Sequence, residues 1–398
     1  MATEDGRYRE STQYQFWSFT TAELGRLREQ TNSSARATLS ERLAQQLTNR
    51  SGPNSSANTA ERQNGGLPDF LTPAEEALLL NFYCHNLLQA AEHLRLVPET
   101  RATAGVLLRR FYTTNSIMTY PPTDMMLVAL FFGCKAEGDF RNVKQFVRDI
   151  NIDEKKRDKT ADDILAGEFL LCQGVRFHFD VRHPYRALEG AIMALRRHRD
   201  LDDARIVRAR ARARDILKWT PHFTDAYFHY TPSQMMLAAL SLADRGLAER
   251  LLHDTFHHDA ARPLPPAVEQ ERMAAAIARC RDMLGGGGAG LGPDLPAPGA
   301  DFAAHYQAHW EAAYKARVAP LVQKLKKCRD PDRKNFAALE RARRELAMRE
   351  AASDDEEEEE EGGAAGDGGG VDQDAAVFGG PSTKRRKVAV EDPFGPAL

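Results

Sequence analysis

The sequence predicts an all-α protein containing two tandem copies of one helical domain, and three observations carry that reading. Apolar residues recur at three- and four-residue spacing, as in Ala104, Leu107, Leu108, Phe111 and Tyr112, which is the stripe of an amphipathic helix. Nowhere is there an alternating stretch or tight hairpin signal strong enough to predict a strand. The segment Tyr120-Pro-Pro-Thr-Asp-Met-Met-Leu-Val-Ala-Leu130 returns as Tyr230-Thr-Pro-Ser-Gln-Met-Met-Leu-Ala-Ala-Leu240, offset by 110 residues, with seven of eleven positions identical. Each copy opens with proline and small polar residues before an apolar run, the punctuation of a helix start, so duplication of a unit about this long is expected.

In chain order, the first expected element is a short helix opened by a capping box, Thr20 to Glu23, with Phe16, Trp17 and Phe19 just before it. Such a helix is marginal alone and should dock on the rest. Residues 31 to 68 are rich in Ser, Asn, Thr and Gly and predict a linker or loose insert, so residues 1–71 read as an N-terminal helix plus a flexible segment. Thr72-Pro-Ala-Glu75 then sets a cap, a proline at the first helical position and a returning acid, and a long helix follows. Met125 to Cys134 is apolar apart from Gly133 and predicts a helix covered on nearly every side, the hub of a bundle. Ile164, Leu165, Phe169, Leu170 and Leu171 predict another helix, ending near Gly174 and Val175. A Gly/Pro-rich break at 285 to 299 precedes one or two terminal helices over 300–350, and 351–398 reads as a disordered tail with an acidic block, Asp354 to Glu361, and a basic run, Lys384, Arg385, Arg386 and Lys387.

Several function classes lose support. No run of 18 apolar residues and no signal-peptide pattern occurs, so a soluble intracellular protein without membrane contact is expected. The five cysteines (Cys84, Cys134, Cys172, Cys280, Cys328) are scattered and read as reduced thiols. Phosphate-loop and nucleophile-elbow motifs are absent, and the His253, Asp254, His257, His258, Asp259 cluster lacks the further ligands of a metal site; no catalysis, cofactor or metal is expected. Arg205, Arg208, Arg210, Arg212 and Arg214 spread around a helix with acids beside them and read as a solvated face rather than a nucleic-acid track.

Four stretches carry a resemblance to a known family: Phe16-Trp-Ser-Phe-Thr20, Arg110-Phe-Tyr-Thr-Thr-Asn-Ser116, His183-Pro-Tyr-Arg-Ala-Leu-Glu-Gly190, and Thr224-Asp-Ala-Tyr-Phe-His-Tyr-Thr-Pro-Ser-Gln234. Over residues 14 to 350 the chain resembles the cyclins, closest to the transcription-associated cyclin H group. The Met-Arg-x-x-Leu-x-Asp-Trp helix of mitotic cyclins is missing. The resemblance implies two five-helix cyclin boxes, 72–180 and 181–290, with flanking N- and C-terminal helices. It also implies a non-catalytic regulatory subunit whose partner is a cyclin-dependent kinase, with a RING-finger assembly subunit and the TFIIH core as further partners, in the nucleus. On the same ground Lys135 and Glu168 would grip the kinase's regulatory C-helix, Phe169, Cys172 and Phe177 would line that surface, and the N-terminal segment with Phe16 and Trp17 would add contact. The basic run Lys384 to Lys387 resembles a nuclear localisation signal. The alternatives left open are another transcription cyclin, of the C or elongation type, and a TFIIB-like adaptor that uses the same repeat to bind DNA.

Overall fold

The computed structural model describes residues 4–50, 67–150, 160–257, 267–286 and 293–330, with residue 345 alone beyond them. Two short helices, α1 (Glu4–Arg9) and α2 (Thr12–Trp17), lead into the 30-residue α3 (Thr21–Arg50). The first repeat is α4 (Pro73–His93), α5 (Pro98–Thr114), α6 (Pro122–Ala136), α7 (Val143–Ile150) and α8 (Ala161–Gly174). The second is α9 (Tyr185–Leu195), α10 (Asp203–Trp219), the single-turn α11 (Ala226–His229), α12 (Pro232–Ala243), α13 (Arg245–His257) and α14 (Ala267–Leu284). After it come α15 (Phe302–Ala313), a π turn over Tyr314–Val318 and α16 (Ala319–Cys328). Among the described residues there is no strand.

The two copies of the repeated segment are the two hubs. Helix α6 packs against α4, α5 and α8, while α12 packs against α9, α10 and α14. If α11 is read as a turn, each repeat is five helices around one buried helix. In α6, Met125, Val128, Ala129, Leu130, Phe131 and Cys134 are buried, as the unbroken apolar run requires. Gly133 lets α5 approach closely, since a methyl group there would stand 3.0 Å from Ala104 Cβ and from the Thr100 carbonyl. The expected caps are formed: Thr20 and Glu23, Thr72 and Glu75, and Thr231 and Gln234 each exchange side-chain and backbone hydrogen bonds. A fourth box, Thr160 with Asp163, opens α8.

One expectation is corrected. The loose insert anticipated over residues 31 to 68 is helical up to residue 50, because α3 runs to Arg50. Its polar composition is that of a helix touching the body at few points: Leu24 and Leu39 are buried, Asn32 Nδ2 donates to the Leu71 carbonyl (2.8 Å) and to Glu76 (2.7 Å), and Thr31 Oγ1 donates to the Thr113 carbonyl (2.9 Å). Tertiary anchoring overrides weak local propensity there. Residues 51–66, Ser353, the acidic block and the Lys384–Lys387 run lie outside the described residues.

The segments quoted for the resemblance converge on the joint between the repeats. Arg110 is buried, and its guanidinium donates to the carbonyls of His178 (2.8 Å) and Asp180 (3.2 Å) while lying 5.2 Å over the Trp17 ring. Its neighbour Arg109 donates to Asn81 (2.8 Å), to the His222 carbonyl (3.1 Å) and to Asp225 (2.7 Å). Arg28 of α3 grips the same Asp225 with two bonds of 2.8 and 2.7 Å. One carboxylate thus ties the N-terminal helix, the first repeat and the second repeat together. Burial alone would push the Asp225 carboxyl up; the hydrogen bonds and charges of Arg28 and Arg109 instead hold it far below the usual carboxylate range.

Candidate functional site

Helix α8 presents a stripe of Leu165, Glu168, Phe169 and Cys172, spaced three and four apart and so on one face. Ile164, Leu170 and Leu171 beside and behind this stripe are buried within the first repeat. Leu165 and Phe169 are exposed, Cys172 half-buried. Lys135 sits on the last turn of α6, where its charge suits the helix C-terminus. The hub and α8 are packed against each other, which brings the Lys135 ammonium within 2.7 and 2.8 Å of the two Glu168 oxygens. The same ammonium lies 4.8 Å over the Phe131 ring. The two charges are therefore paired with each other, Lys135 donating to Glu168 Oε2 while Oε1 accepts no hydrogen bond.

Aromatic rings continue the stripe. Phe169 and Phe177 stand 6.4 Å apart edge to face, Phe177 and Phe179 6.1 Å apart, and Phe179 packs 4.9 Å from Phe132. Phe177 is 57 % exposed and holds φ +58°, directly after Arg176 at φ +55°. A left-handed conformation at a non-glycine residue costs on the order of 1–3 kcal/mol and persists only where the surroundings impose it. Here the chain closes α8 with bonds from Arg176 N to the Gln173 carbonyl (2.9 Å) and from Phe177 N to the Cys172 carbonyl (2.8 Å). Phe177 is thus an aromatic ring held in a strained backbone and turned to solvent. Burial, followed by the Glu168 charge, raises the Cys172 thiol, which makes it a packing group rather than a nucleophile.

The N-terminal segment joins this surface unevenly. Phe16 is exposed and stacks on His178 at 4.5 Å, extending the patch past Phe177. Trp17, grouped with it as a contact residue, is corrected: at 2 % exposure it faces inward, donating from Nε1 to His178 Nδ1 (3.2 Å) beneath Arg110. Burial, then the nearby Arg110 and Arg176 charges, holds the His178 imidazole below its usual value and so neutral, as an acceptor must be. Trp17 thus anchors the segment that carries Phe16, the two rings meeting the same His178. The sequence placed Leu165 on a helix without assigning it to this surface and did not single out Phe132, Phe179 or His178; the Phe177-His-Phe179 alternation was the available sign.

The other constellations are consumed within the fold. Arg205 grips Asp244 (2.6 and 2.7 Å), Arg210 and Arg214 share Glu189 (2.8 and 3.1 Å), and Arg212 donates to the Pro296 carbonyl (3.0 Å). Asp254 accepts from His198 at 2.8 Å, and His258 and Asp259 lie outside the described residues. Among the described residues no cluster of three or more His, Cys, Asp or Glu is placed to hold a metal, and no helix is long and apolar enough to cross a membrane.

Comparison with known proteins bears on this geometry. Residues 183–285 match the family model described as the cyclin C-terminal domain. The chain is 31 % identical over 258 residues to cyclin CCL1 of Saccharomyces cerevisiae, covering 64 % of this chain and 62 % of that protein. It is 27 % identical over 243 residues to cyclin mcs2 of Schizosaccharomyces pombe, covering 59 % and 68 % respectively. With cyclin-H of Xenopus laevis it is 31 % identical over 179 residues, covering 44 % of this chain and 54 % of that one. The match thus spans between about half and two thirds of these curated relatives. Among solved structures, a chain of the CAK complex from Chaetomium thermophilum bound to ATP-gamma-S superposes with TM-score 0.72 at 48 % identity, covering 87 % of this chain and 96 % of that one. A chain of the yeast TFIIK (Kin28/Ccl1/Tfb3) complex gives TM-score 0.51 at 26 % identity, covering 70 % of this chain and all of the other. With two helical repeats around paired buried hubs, a cyclin C-terminal domain match over residues 183–285, and a solved CAK-complex chain that is 48 % identical and covered to 96 %, the chain belongs to the cyclin family.

Proposed function

We propose that this chain is the regulatory subunit of a cyclin-dependent kinase of the TFIIH-associated type, binding and activating the kinase without supplying a catalytic atom. The observation that carries it is the paired Lys135 and Glu168 at the edge of an exposed aromatic stripe, Phe169 and Phe177 of the first repeat with Phe16 of the N-terminal segment, backed by half-buried Phe179. The apolar rings offer buried area to a docked helix; the two charges, once exchanged from each other to the helix's backbone and side chains, set its register. Docking of the kinase C-helix here would hold it inward, so that its glutamate pairs with the ATP-binding lysine, as turnover requires. Likeness to a chain of a CAK complex and to one of TFIIK supports this class of kinase, which would act on other cyclin-dependent kinases and on the RNA polymerase II C-terminal tail. A RING-finger assembly subunit and the TFIIH core would be further partners, and the nucleus the site of action, with Lys384 to Lys387 as the import signal.

The test is co-expression with the kinase subunit of this complex and recovery of the pair, using wild type, Lys135→Ala, Glu168→Ala and Phe177→Ala. Wild type should bring down a kinase active on a polymerase-tail peptide, and each variant should lose at least tenfold in recovered activity while keeping its helical circular dichroism. Full activity in all three variants would refute the assignment of the surface.

A further inference from the structure

The second repeat carries an outer face that nothing above uses. Helices α9 and α10 pack against each other and run antiparallel through a short turn. Glu189 on α9 accepts from both Arg210 and Arg214 on α10, which fixes their register and brings Met193 level with Val207. The inner sides, Tyr185, Leu188, Ile192 and Leu195 with Ile206, Ala209, Ala213 and Ile216, are buried. On the outer side Met193 is 66 % exposed and Val207 43 % exposed. Beside them Gly190 is exposed and adds no side chain, with open space where a methyl group would stand.

Charge surrounds this apolar centre asymmetrically. Between Tyr185 and Arg214 there are nine arginines against four acids, in a chain whose net charge is −3. Most of these cations are committed to Asp203, Asp244, Glu189 or a carbonyl. Arg186, Arg197 and Arg199 are exposed and have no acidic partner among the described residues. Arg186 and Arg197 are one helix length apart, about 16 Å at the rise of an α-helix.

We propose that this face docks an acidic peptide segment of a partner protein, its apolar side chains seated on Met193, Gly190 and Val207 and its carboxylates on Arg186, Arg197 and Arg199. A flexible, polarisable methionine at the centre of an exposed patch adapts to an apolar anchor, and uncommitted guanidiniums offer forked donors to carboxylates. A segment with acids about eleven residues apart as a helix, or about five as an extended strand, spans the free arginines. Duplex nucleic acid fits less well, because it requires a continuous row of free cations and has nothing to bury the apolar centre. No residue of this face belongs to the Lys135 and Glu168 surface.

The test uses the purified full chain labelled with carbon-13 at its methionine methyls. Three fluorescent probes are compared: an eleven-residue peptide with Asp-Glu at each end and two central leucines, the same peptide with lysines replacing the acids, and an 18-base-pair DNA duplex. The acidic peptide should move the Met193 methyl resonance. Its binding should weaken at least tenfold in Met193→Asp and in the double variant Arg197→Glu, Arg199→Glu, and the lysine peptide should bind at least tenfold more weakly than the acidic one. An unmoved Met193 resonance in wild type overturns the proposal without reliance on any variant. So does acidic-peptide binding unchanged by either substitution, and so does a duplex bound more tightly than the peptide, which would make the face a nucleic-acid surface.

Discussion

Replacing Asp225 by Asn tests the joint that holds the N-terminal helix to both repeats. The substitution keeps size and one acceptor oxygen but removes the charge that two guanidiniums share and turns an amide N–H₂ toward one of them. Arg109 is 6 % exposed and cannot recover its solvation, whereas Arg28 and Asp225 each keep 23 %. Removing one partner of a fully buried pair costs about 3–5 kcal/mol. The partial exposure of two members brings the expected cost to about 3 kcal/mol, about 6 °C in Tm for a domain of this size. Since α3 is anchored through Arg28, the N-terminal segment should loosen, Phe16 should leave its place on His178, and recovery of the kinase should fall as well. Calorimetry on the purified chain gives the first quantity and co-expression the second. The control is Asp203→Asn, which breaks only an exposed pair with Arg196 and should cost under about 1 kcal/mol. A Tm for Asp225→Asn within 2 °C of that control would refute the view that this carboxylate holds the three parts together.

Further outcomes follow from single positions. Phe177→Gly relieves the left-handed strain and should raise stability by about 1 kcal/mol while weakening kinase recovery at least tenfold; a fall in stability, read from the urea midpoint, would contradict the strain argument. Gly174→Ala would drive a methyl to 2.3 Å from the buried Phe111 ring and should cost about 2–3 kcal/mol in the same assay. Thr231→Ala removes the side-chain half of the α12 cap and should cost about 1 kcal/mol. Burial lowers His85 to about 4 and His222 to about 3, so the unfolded chain binds protons that the folded chain refuses. Stability should therefore be full above pH 6.5 and fall as pH drops toward 4, by about 2–3 kcal/mol per histidine between pH 6.5 and 4.5. His85→Leu should flatten part of that slope, and stability that rises on acidification would contradict it.

What the sequence disclosed, and what it hid, divides along a physical line. The hubs were legible because a helix covered on all sides must be apolar all round, and because two copies preserve the same opening Pro and Met pair. Capping boxes at Thr20, Thr72 and Thr231 were legible because their partners lie three residues away. Lys135 and Glu168 needed the family resemblance, since nothing in a lone lysine or glutamate separates it from a solvated charge. Trp17 was misassigned because its partners, His178 and Arg110, are distant in sequence, and burial by remote segments leaves no local periodicity. The second half of α3 was hidden for the same reason: Leu39 and Asn32 are too sparse to form a stripe, and the partners of Asn32, Leu71 and Glu76, lie beyond the insert.

The mutual satisfaction of Lys135 and Glu168 has a consequence for the speed of assembly. A cation and an anion already within 2.8 Å present almost no net field at distance, so this surface cannot draw a charged partner through solution. Encounter should run at the unsteered rate of about 10⁵–10⁶ M⁻¹s⁻¹ and change little with ionic strength. On the proposed docking the two side chains would separate only after the rings have met, and selectivity would then be exercised in how long a complex lasts rather than in how often one is attempted.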